Sequence, residues 1–319
     1  MFNAIHDRRH NMKQARGLIF GLFLTTLVVL GQSPAQAFNS SSFNGTADFY
    51  AGAAPPPGLH LIDYNVYLDI KKIENKGQGL TDGKGSLTAV AFRPIYVSEK
   101  GLLGGNLLLH SIIPLLSVEA NVTAQTPGGP INVQGHDGGL GDVYFGAGMA
   151  WHTPTWHWLT VLDIITPTGR FDATKPINAG NNAFIIEPVF AISGLFSNGI
   201  ETSAKFMYSY HTKNSDYIEP GTGLRGYQTG QSIHMDYMVN YALTKELKLG
   251  VTGWVWQGLE NDRIGGQKRG DTKDREFSMG PAVRYQSGKF ALLGKYVIPI
   301  SAENRIEANQ TWIDLVYSF

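Results

Sequence analysis

The chain has 319 residues, no cysteine, and 26 basic against 26 acidic side chains, for a net charge of zero. A disulfide framework, a thiol nucleophile and a Cys-ligated metal site are therefore excluded, and no basic excess is available to hold a nucleic acid. Glycine is abundant at 38 residues, and Phe, Trp and Tyr make up 11% of the chain.

At the N-terminus, Lys13 and Arg16 precede an apolar run from Leu18 to Leu30, followed by Ser33-Pro-Ala-Gln-Ala37. A positive region, an apolar region and small residues at Ala35 and Ala37 are the three parts of a cleaved signal peptide. The run is shorter than the roughly 20 residues that a spanning helix needs. Residues 1–37 are therefore expected to be a leader, with Met12 as a second candidate start. No other stretch is long and apolar enough to span a bilayer as a helix. An exported chain of this kind either stays soluble in the periplasm or crosses the membrane as a closed barrel.

Residues 38–59 form a distinct segment containing Phe49-Tyr-Ala-Gly-Ala-Ala-Pro-Pro-Pro-Gly-Leu59. Three consecutive prolines favour a stiff polyproline II rod, and Gly58 permits a sharp turn into the first strand. The segment is a candidate lumen plug, carried by Phe43, Phe49, Tyr50, Pro55, Pro56 and Pro57. The alternative is a plain periplasmic lead-in.

From residue 60 onward, period-2 patterns recur. Ile62, Tyr64, Val66, Leu68 and Ile70 alternate with Asp63, Asn65 and Asp69. The same alternation of apolar and polar positions occupies residues 142–151, 184–193, 200–211, 233–241 and 277–285. Weaker segments lie at 86–97, 106–124, 156–166, 247–257 and 290–298. Most are close to the 9–11 residues a tilted transmembrane strand requires. Pro188 and Pro281 fall inside two of these strands and are expected to mark bulges. The last strand, Thr311-Trp-Ile-Asp-Leu-Val-Tyr-Ser-Phe319, sets Ile313, Leu315, Tyr317 and Phe319 on one face. Those four residues are the candidate assembly signal. The total is about twelve strands, an even number as bacterial barrels require.

The connections support this count. Residues 152–155, 197–199, 244–246 and 286–289 are short, whereas 73–85, 125–139, 167–182, 212–228 and 258–275 are long and polar. Short turns at one end and long loops at the other are what an outer-membrane barrel shows. The expected fold is all-β: a transmembrane antiparallel β-barrel of about 12 strands over residues 60–319, of outer-membrane type.

Opposite the apolar faces lie Asp63, Asp69, Arg93, Asp142, Glu187, Glu201, Lys205, His234, Asp236, Lys248, Arg284, Lys295 and Asp314. These are the candidate lumen-lining residues, either as a network of paired charges or as a polar conduit. Catalysis finds little footing. His152 and His157 flank Pro154 in a Trp-rich turn that reads as an interfacial girdle, and no G-x-S-x-G elbow occurs. His136 and Asp137 sit in a Gly-rich stretch expected to be a turn. No catalytic, metal or cofactor residue is assigned.

The segment Ala47-Asp-Phe-Tyr-Ala-Gly-Ala-Ala-Pro-Pro-Pro-Gly-Leu-His-Leu-Ile-Asp-Tyr64 resembles the opening of the outer-membrane transporter family named for the meta-pathway of phenol degradation. Gly139-Leu-Gly-Asp142, Thr166-Pro-Thr-Gly-Arg-Phe-Asp172 and Asn178-Ala-Gly-Asn-Asn182 continue the resemblance over nearly the whole mature chain. It implies an outer-membrane barrel associated with uptake of aromatic or other hydrophobic compounds. The expected partners are outer-membrane lipid, the barrel-assembly machinery and a small hydrophobic or aromatic solute. An adhesive or structural barrel and an outer-membrane hydrolase remain the alternatives.

Overall fold

The computed structural model describes residues 44–126, 129–175, 177–219 and 222–319. The expected leader and Phe43 lie outside the described residues. In chain order the strands are β1 (Gly58–Asn75), β2 (Leu80–Leu102), β3 (Gly105–Thr126), β4 (Gly129–Leu140), β5 (Tyr144–His152) and β6 (Trp156–Ile165). Next come β7 (Ile185–Leu195), β8 (Ile200–His211), β9 (Asn214–Ile218), β10 (Arg225–Gln228), β11 (Ser232–Ala242) and β12 (Leu247–Gly258). The chain finishes with β13 (Arg263–Ile264), β14 (Gln267–Lys268), β15 (Arg275–Ser287), β16 (Phe290–Glu303) and β17 (Ile306–Ser318).

Twelve of these strands close an antiparallel barrel, with β1 pairing both β2 and β17 and β2 pairing β3. Closure leaves no unpaired edge, so the strand backbone can sit in hydrocarbon. The remaining five strands lie outside the ring. Strand β4 pairs the distal half of β3, and β9, β10, β13 and β14 form a four-stranded sheet in the long connections. The start of β1, the end of β17 and the short turns share one end of the barrel, which by the usual orientation is periplasmic.

Two connections expected as loops are strands. Residues 73–85 are nearly all taken up by β1, a single 3-10 turn (Lys76–Gln78) and the start of β2. Residues 129–139 belong to β4, where His136 pairs Glu119 and Asp137 pairs Val118. These stretches are polar and Gly-rich because they rise beyond the bilayer, where no apolar face is needed. The tall wall is clear from length, since β1, β2 and β3 have 18, 23 and 22 residues. The sixth outer connection breaks the long-loop pattern, because β16 runs to Glu303 and only Asn304 and Arg305 link it to β17. Pro188 and Pro281 mark no bulge. Pairing lapses on one side of each, but the register is unchanged across the gap, and a bulge falls instead between Phe277 and Ser278.

The outward faces carry Phe145, Leu162, Phe190, Phe206, Ile233, Val239, Val255, Phe277, Val283, Ile313 and Leu315, all exposed. Trp156 meets Phe196 at 5.6 Å and Tyr317 meets Phe290 at 4.6 Å and Phe319 at 4.7 Å, at the periplasmic rim. An apolar band edged by aromatics is the lipid-facing surface of a membrane barrel.

Strand β1 has the opposite phase from the one expected. Tyr64, Val66 and Ile70 are buried inside, and Asp63, Asn65 and Asp69 point outward. Asp63 sits in register with Leu315 and Phe92, and Asn65 with Ile313 and Val90, on the lipid-facing side. Asp69 pairs with Lys71 beyond them. The cause is the interior itself, which is not uniformly polar. Tyr64, Val66, Ala89, Ala91, Ile112, Leu116, Val118 and Trp312 make one apolar sector. Ile95, Leu108, Val161, Val189 and Met207 extend it toward the periplasm. The polar residues are concentrated on β7, β8 and the strands from β11 to β17.

Candidate functional site

The site is the lumen. Of the thirteen candidate lumen-lining residues, Arg93, Glu187, Glu201, Lys205, His234, Asp236, Lys248, Arg284, Lys295 and Asp314 stand on inward-facing positions. Asp142 lies in no strand. Buried between β4 and β5, its carboxylate accepts Gly169 N–H at 2.9 Å, Asn181 N–H at 2.8 Å and Asn181 Nδ2 at 3.0 Å. It therefore pins the outer loop of residues 166–184. Burial raises the Asp142 carboxyl above its ordinary range, against the pull of those donors. Gly169 and Gly180 cross backbone to backbone there, and a Cβ on Gly169 would lie 2.6 Å from Gly180 Cα. The Thr-Pro-Thr-Gly motif is thus a loop-folding element. Asp172, at its end, is held below the usual carboxylate range by the hydroxyl and N–H of Thr174.

Residues 44–57 run through the lumen. Asp48 makes an ion pair with Lys295 at 2.5 Å and accepts the Thr252 hydroxyl at 2.6 Å. Lys295 also donates to the Gly45 carbonyl. Tyr50 N–H donates to Glu201 at 2.5 Å, and Gly52 N–H to the Ser193 hydroxyl at 2.8 Å. The Tyr50 ring lies beneath Lys248 at 4.1 Å and Arg284 at 5.0 Å. Lys248 in turn bridges to Glu201 at 2.7 Å. His60 ties the periplasmic end, with one ring nitrogen 2.8 Å from the Pro56 carbonyl and the other 2.9 Å from the Ser318 hydroxyl. Phe49, Tyr50, Pro55, Pro56 and Pro57 all line the same cavity.

Several of these partners carry a sequence signal that the expected set omits. Ser193 and Ser203 fall on the same inward phase as Glu187 and Glu201, so extending the alternation finds them. Asp163 likewise shares the inward phase of β6. His110, 3.0 Å from Asp163, lies in the unbroken apolar stretch Leu107-Leu-Leu-His-Ser-Ile-Ile113, where no alternation marks it.

Gly52 is the tightest point of the segment. A Cβ there would lie 2.4 Å from Ile192 Cα and 2.6 Å from Ser193 N, both backbone atoms. Gly52→Ala is expected to lift the segment off β7 at a cost of about 1–3 kcal/mol, the scale of overpacking. Hydrogen exchange at the amides of Tyr50 and Gly52 checks this. Unchanged protection would mean that the contact is not tight in solution.

Two cavities flank this segment. The outer one, about 150 Å³, is bordered by Leu68, Ile70, Leu116 and Tyr144 on the apolar side and by Asp262, Asp274 and Glu276 on the other. Arg305 spans its floor, 2.8 Å from Glu276, 2.9 Å from Asp274 and 3.9 Å above the Trp256 ring. The inner one, about 810 Å³, opens toward the periplasm. Above the outer cavity, Asn304 joins three connections by accepting Lys76 N–H at 2.9 Å and donating to the carbonyls of Asp271 and Lys273.

One cluster has the composition of a hydrolytic triad. Ser209 donates to Glu187 at 2.6 Å, and His234 Nε2 lies 3.3 Å from the serine and 3.2 Å from the same glutamate oxygen. In a triad the serine and the acid engage opposite ring nitrogens. Here both meet Nε2, so no proton relay can run through the ring, and the cluster is a structural brace. Among the described residues no group of three or more His, Asp or Glu side chains is arranged to hold a metal ion.

A closed twelve-stranded antiparallel barrel with an apolar exterior and a chain segment through its lumen defines the class of membrane-spanning β-barrels. The chain belongs to the family described as MetA-pathway of phenol degradation, whose model matches residues 69–315. Among solved structures it is similar to an outer membrane channel from Pseudomonas putida, with a TM-score of 0.69 at 15% identity, covering 83% of this chain and 97% of the other. Weaker likenesses are to the NanC porin (TM-score 0.43, 11% identity, 81% and 100% covered) and to a Pseudomonas aeruginosa FadL homologue (TM-score 0.40, 10% identity, 82% and 89% covered). Among curated proteins none matches this chain.

Proposed function

We propose that the protein is an outer-membrane channel for passive passage of small hydrophobic or aromatic compounds, gated by residues 44–57. The observation that carries this reading is the apolar sector inside the barrel. A channel for sugars or ions alone has a polar interior, whereas here Ile70 and Leu116 along the outer cavity and Tyr64, Ile95, Leu108, Val161 and Val189 along the inner one make a greasy wall. A hydrophobic solute would slide along this wall while the polar strands hold the gate segment opposite. The test is uptake of toluene, phenol and a disaccharide by cells with and without the gene. Gene-dependent uptake of the first two supports the reading, and gene-dependent uptake of the disaccharide alone would defeat it.

The same reading makes the last strand the signal for insertion. Ile313, Leu315 and Phe319 are exposed on the outer face beside β1. Deleting Phe319 is expected to leave most of the protein periplasmic or degraded. Fractionation followed by heat-modified gel migration measures this, and wild-type barrel levels would remove the assignment.

A further inference from the structure

The inner cavity has a charge imbalance that a neutral solute leaves unexplained. Arg93 faces it from β2. Among the described residues its buried Nε has no partner, and its one hydrogen bond is a long one, 3.3 Å to the Tyr64 hydroxyl. A guanidinium has five donors, so most of its capacity is unused, and a buried polar group left unpaired calls for a physical reason. Lys205 lines the same cavity from β8. No carboxylate among the described residues comes within 4.0 Å of either cation, although such pairs form elsewhere in the lumen. Asp236, the cross-strand neighbour of Lys205, does not border the cavity. Of the acids that do, Asp48 is committed to Lys295, which leaves Asp163, beside His110, and Asp314. Arg93 stands within the apolar wall of Ile62, Ile95, Leu108, Val161 and Val189, with Ile62 as its register partner on β1.

We infer that this cavity is a binding site for an amphipathic organic anion, an aromatic or aliphatic body carrying a carboxylate. The apolar body lies on the β2–β7 wall. The carboxylate takes the free face of the Arg93 fork, a geometry that guanidinium matches with two parallel bonds, and Lys205 adds a second positive charge. This deepens the proposed passage of hydrophobic compounds and rests on it. It narrows the favoured solutes to those ionised at one end.

The experiment is calorimetric binding of 4-phenylbutyrate and its neutral counterpart 4-phenylbutanol to the full mature protein in detergent at neutral pH. The wild type is expected to bind the acid at least about tenfold tighter than the alcohol, a difference of about 1.4 kcal/mol. Arg93→Gln is expected to abolish the preference and leave alcohol binding unchanged, and Lys205→Gln to reduce it. If Arg93→Gln does not fold, Arg93→Lys keeps the charge without the fork and is expected to fall between wild type and no preference. Equal binding of acid and alcohol by the wild type overturns this inference while the hydrophobic-passage reading stands. A preference that survives both Arg93→Lys and Lys205→Gln also overturns it. Failure of either probe to bind, together with no gene-dependent uptake of toluene or phenol, defeats both.

Discussion

A barrel lacking residues 39–56 is expected to fold and to conduct small ions more freely than the full mature chain, with weaker discrimination among solutes. The barrel wall does not need the segment, because its closing ladders run between strands from Gly58 to Ser318. The lumen does need it. Without it Tyr50 no longer sits beneath Lys248 and Arg284, and the backbone that separates the outer from the inner cavity is gone. Lys295 would lose Asp48 but keep Asp314 as a neighbour on the adjoining strand, and Glu201 would keep Lys248. Neither change strands a charge deep in hydrocarbon, so the cost should fall on gating rather than folding. Single-channel recordings of both forms refolded in one lipid measure the difference. Equal conductance would show that the segment leaves the path open, and the gate would be withdrawn.

The second large effect concerns the outer face. Val239→Arg and Val283→Arg are each expected to destabilise the barrel by about 2–4 kcal/mol, the penalty for a cation near the bilayer midplane. Val239 is 54% exposed on β11 and Val283 is 38% exposed on β15, and their neighbours in register, Val251 and Leu249, are apolar. Asp63→Leu should act with the opposite sign, since it removes a carboxylate set between Leu315 and Phe92. Reversible urea unfolding in lipid vesicles measures all three. If Val239→Arg is as stable as Val239→Leu, that position does not face hydrocarbon.

Alternation in the sequence located the strands because hydrocarbon on one side and a packed lumen on the other force opposite demands on successive residues. Strands β8, β11 and β15 read correctly because most of their inner residues are polar, so apolar meant outward. Strand β7 reads correctly from Glu187 and Ser193, although Ile185, Val189 and Ala191 share their inner face. Period 2 fixes which residues share a face, but not which face is inside. In β1 the inner face is the apolar one, with Tyr64, Val66 and Ile70, and the outer face carries Asp63, Asn65 and Asp69, so the assumption of a polar lumen assigns Asp63 and Asp69 to the wrong side. The tall outer ends of β2 and β4 escaped for a related reason. Above the bilayer neither face must be apolar, so Gly83, Gly85, Gly135 and Gly138 look like loop although their backbones are paired in ladders. The partners of the lumen segment were beyond reach for a third reason. Asp48 meets Lys295 across 247 positions of chain and Gly52 meets Ser193 across 141, and no local pattern records such a meeting.

Those separations also fix an order of events in assembly. The contacts of residues 44–57 come from β7, β8, β12 and β16, which face one another across a common space only after the ring has closed. Contacts this remote carry a loop-closure cost that ring formation must first meet. Residues 44–57, which precede every strand of the barrel in the chain, are therefore the last of these to find their place. Under the proposed gating, each newly closed ring is an open path until this segment docks. The speed with which Asp48 reaches Lys295 sets how long that leak lasts.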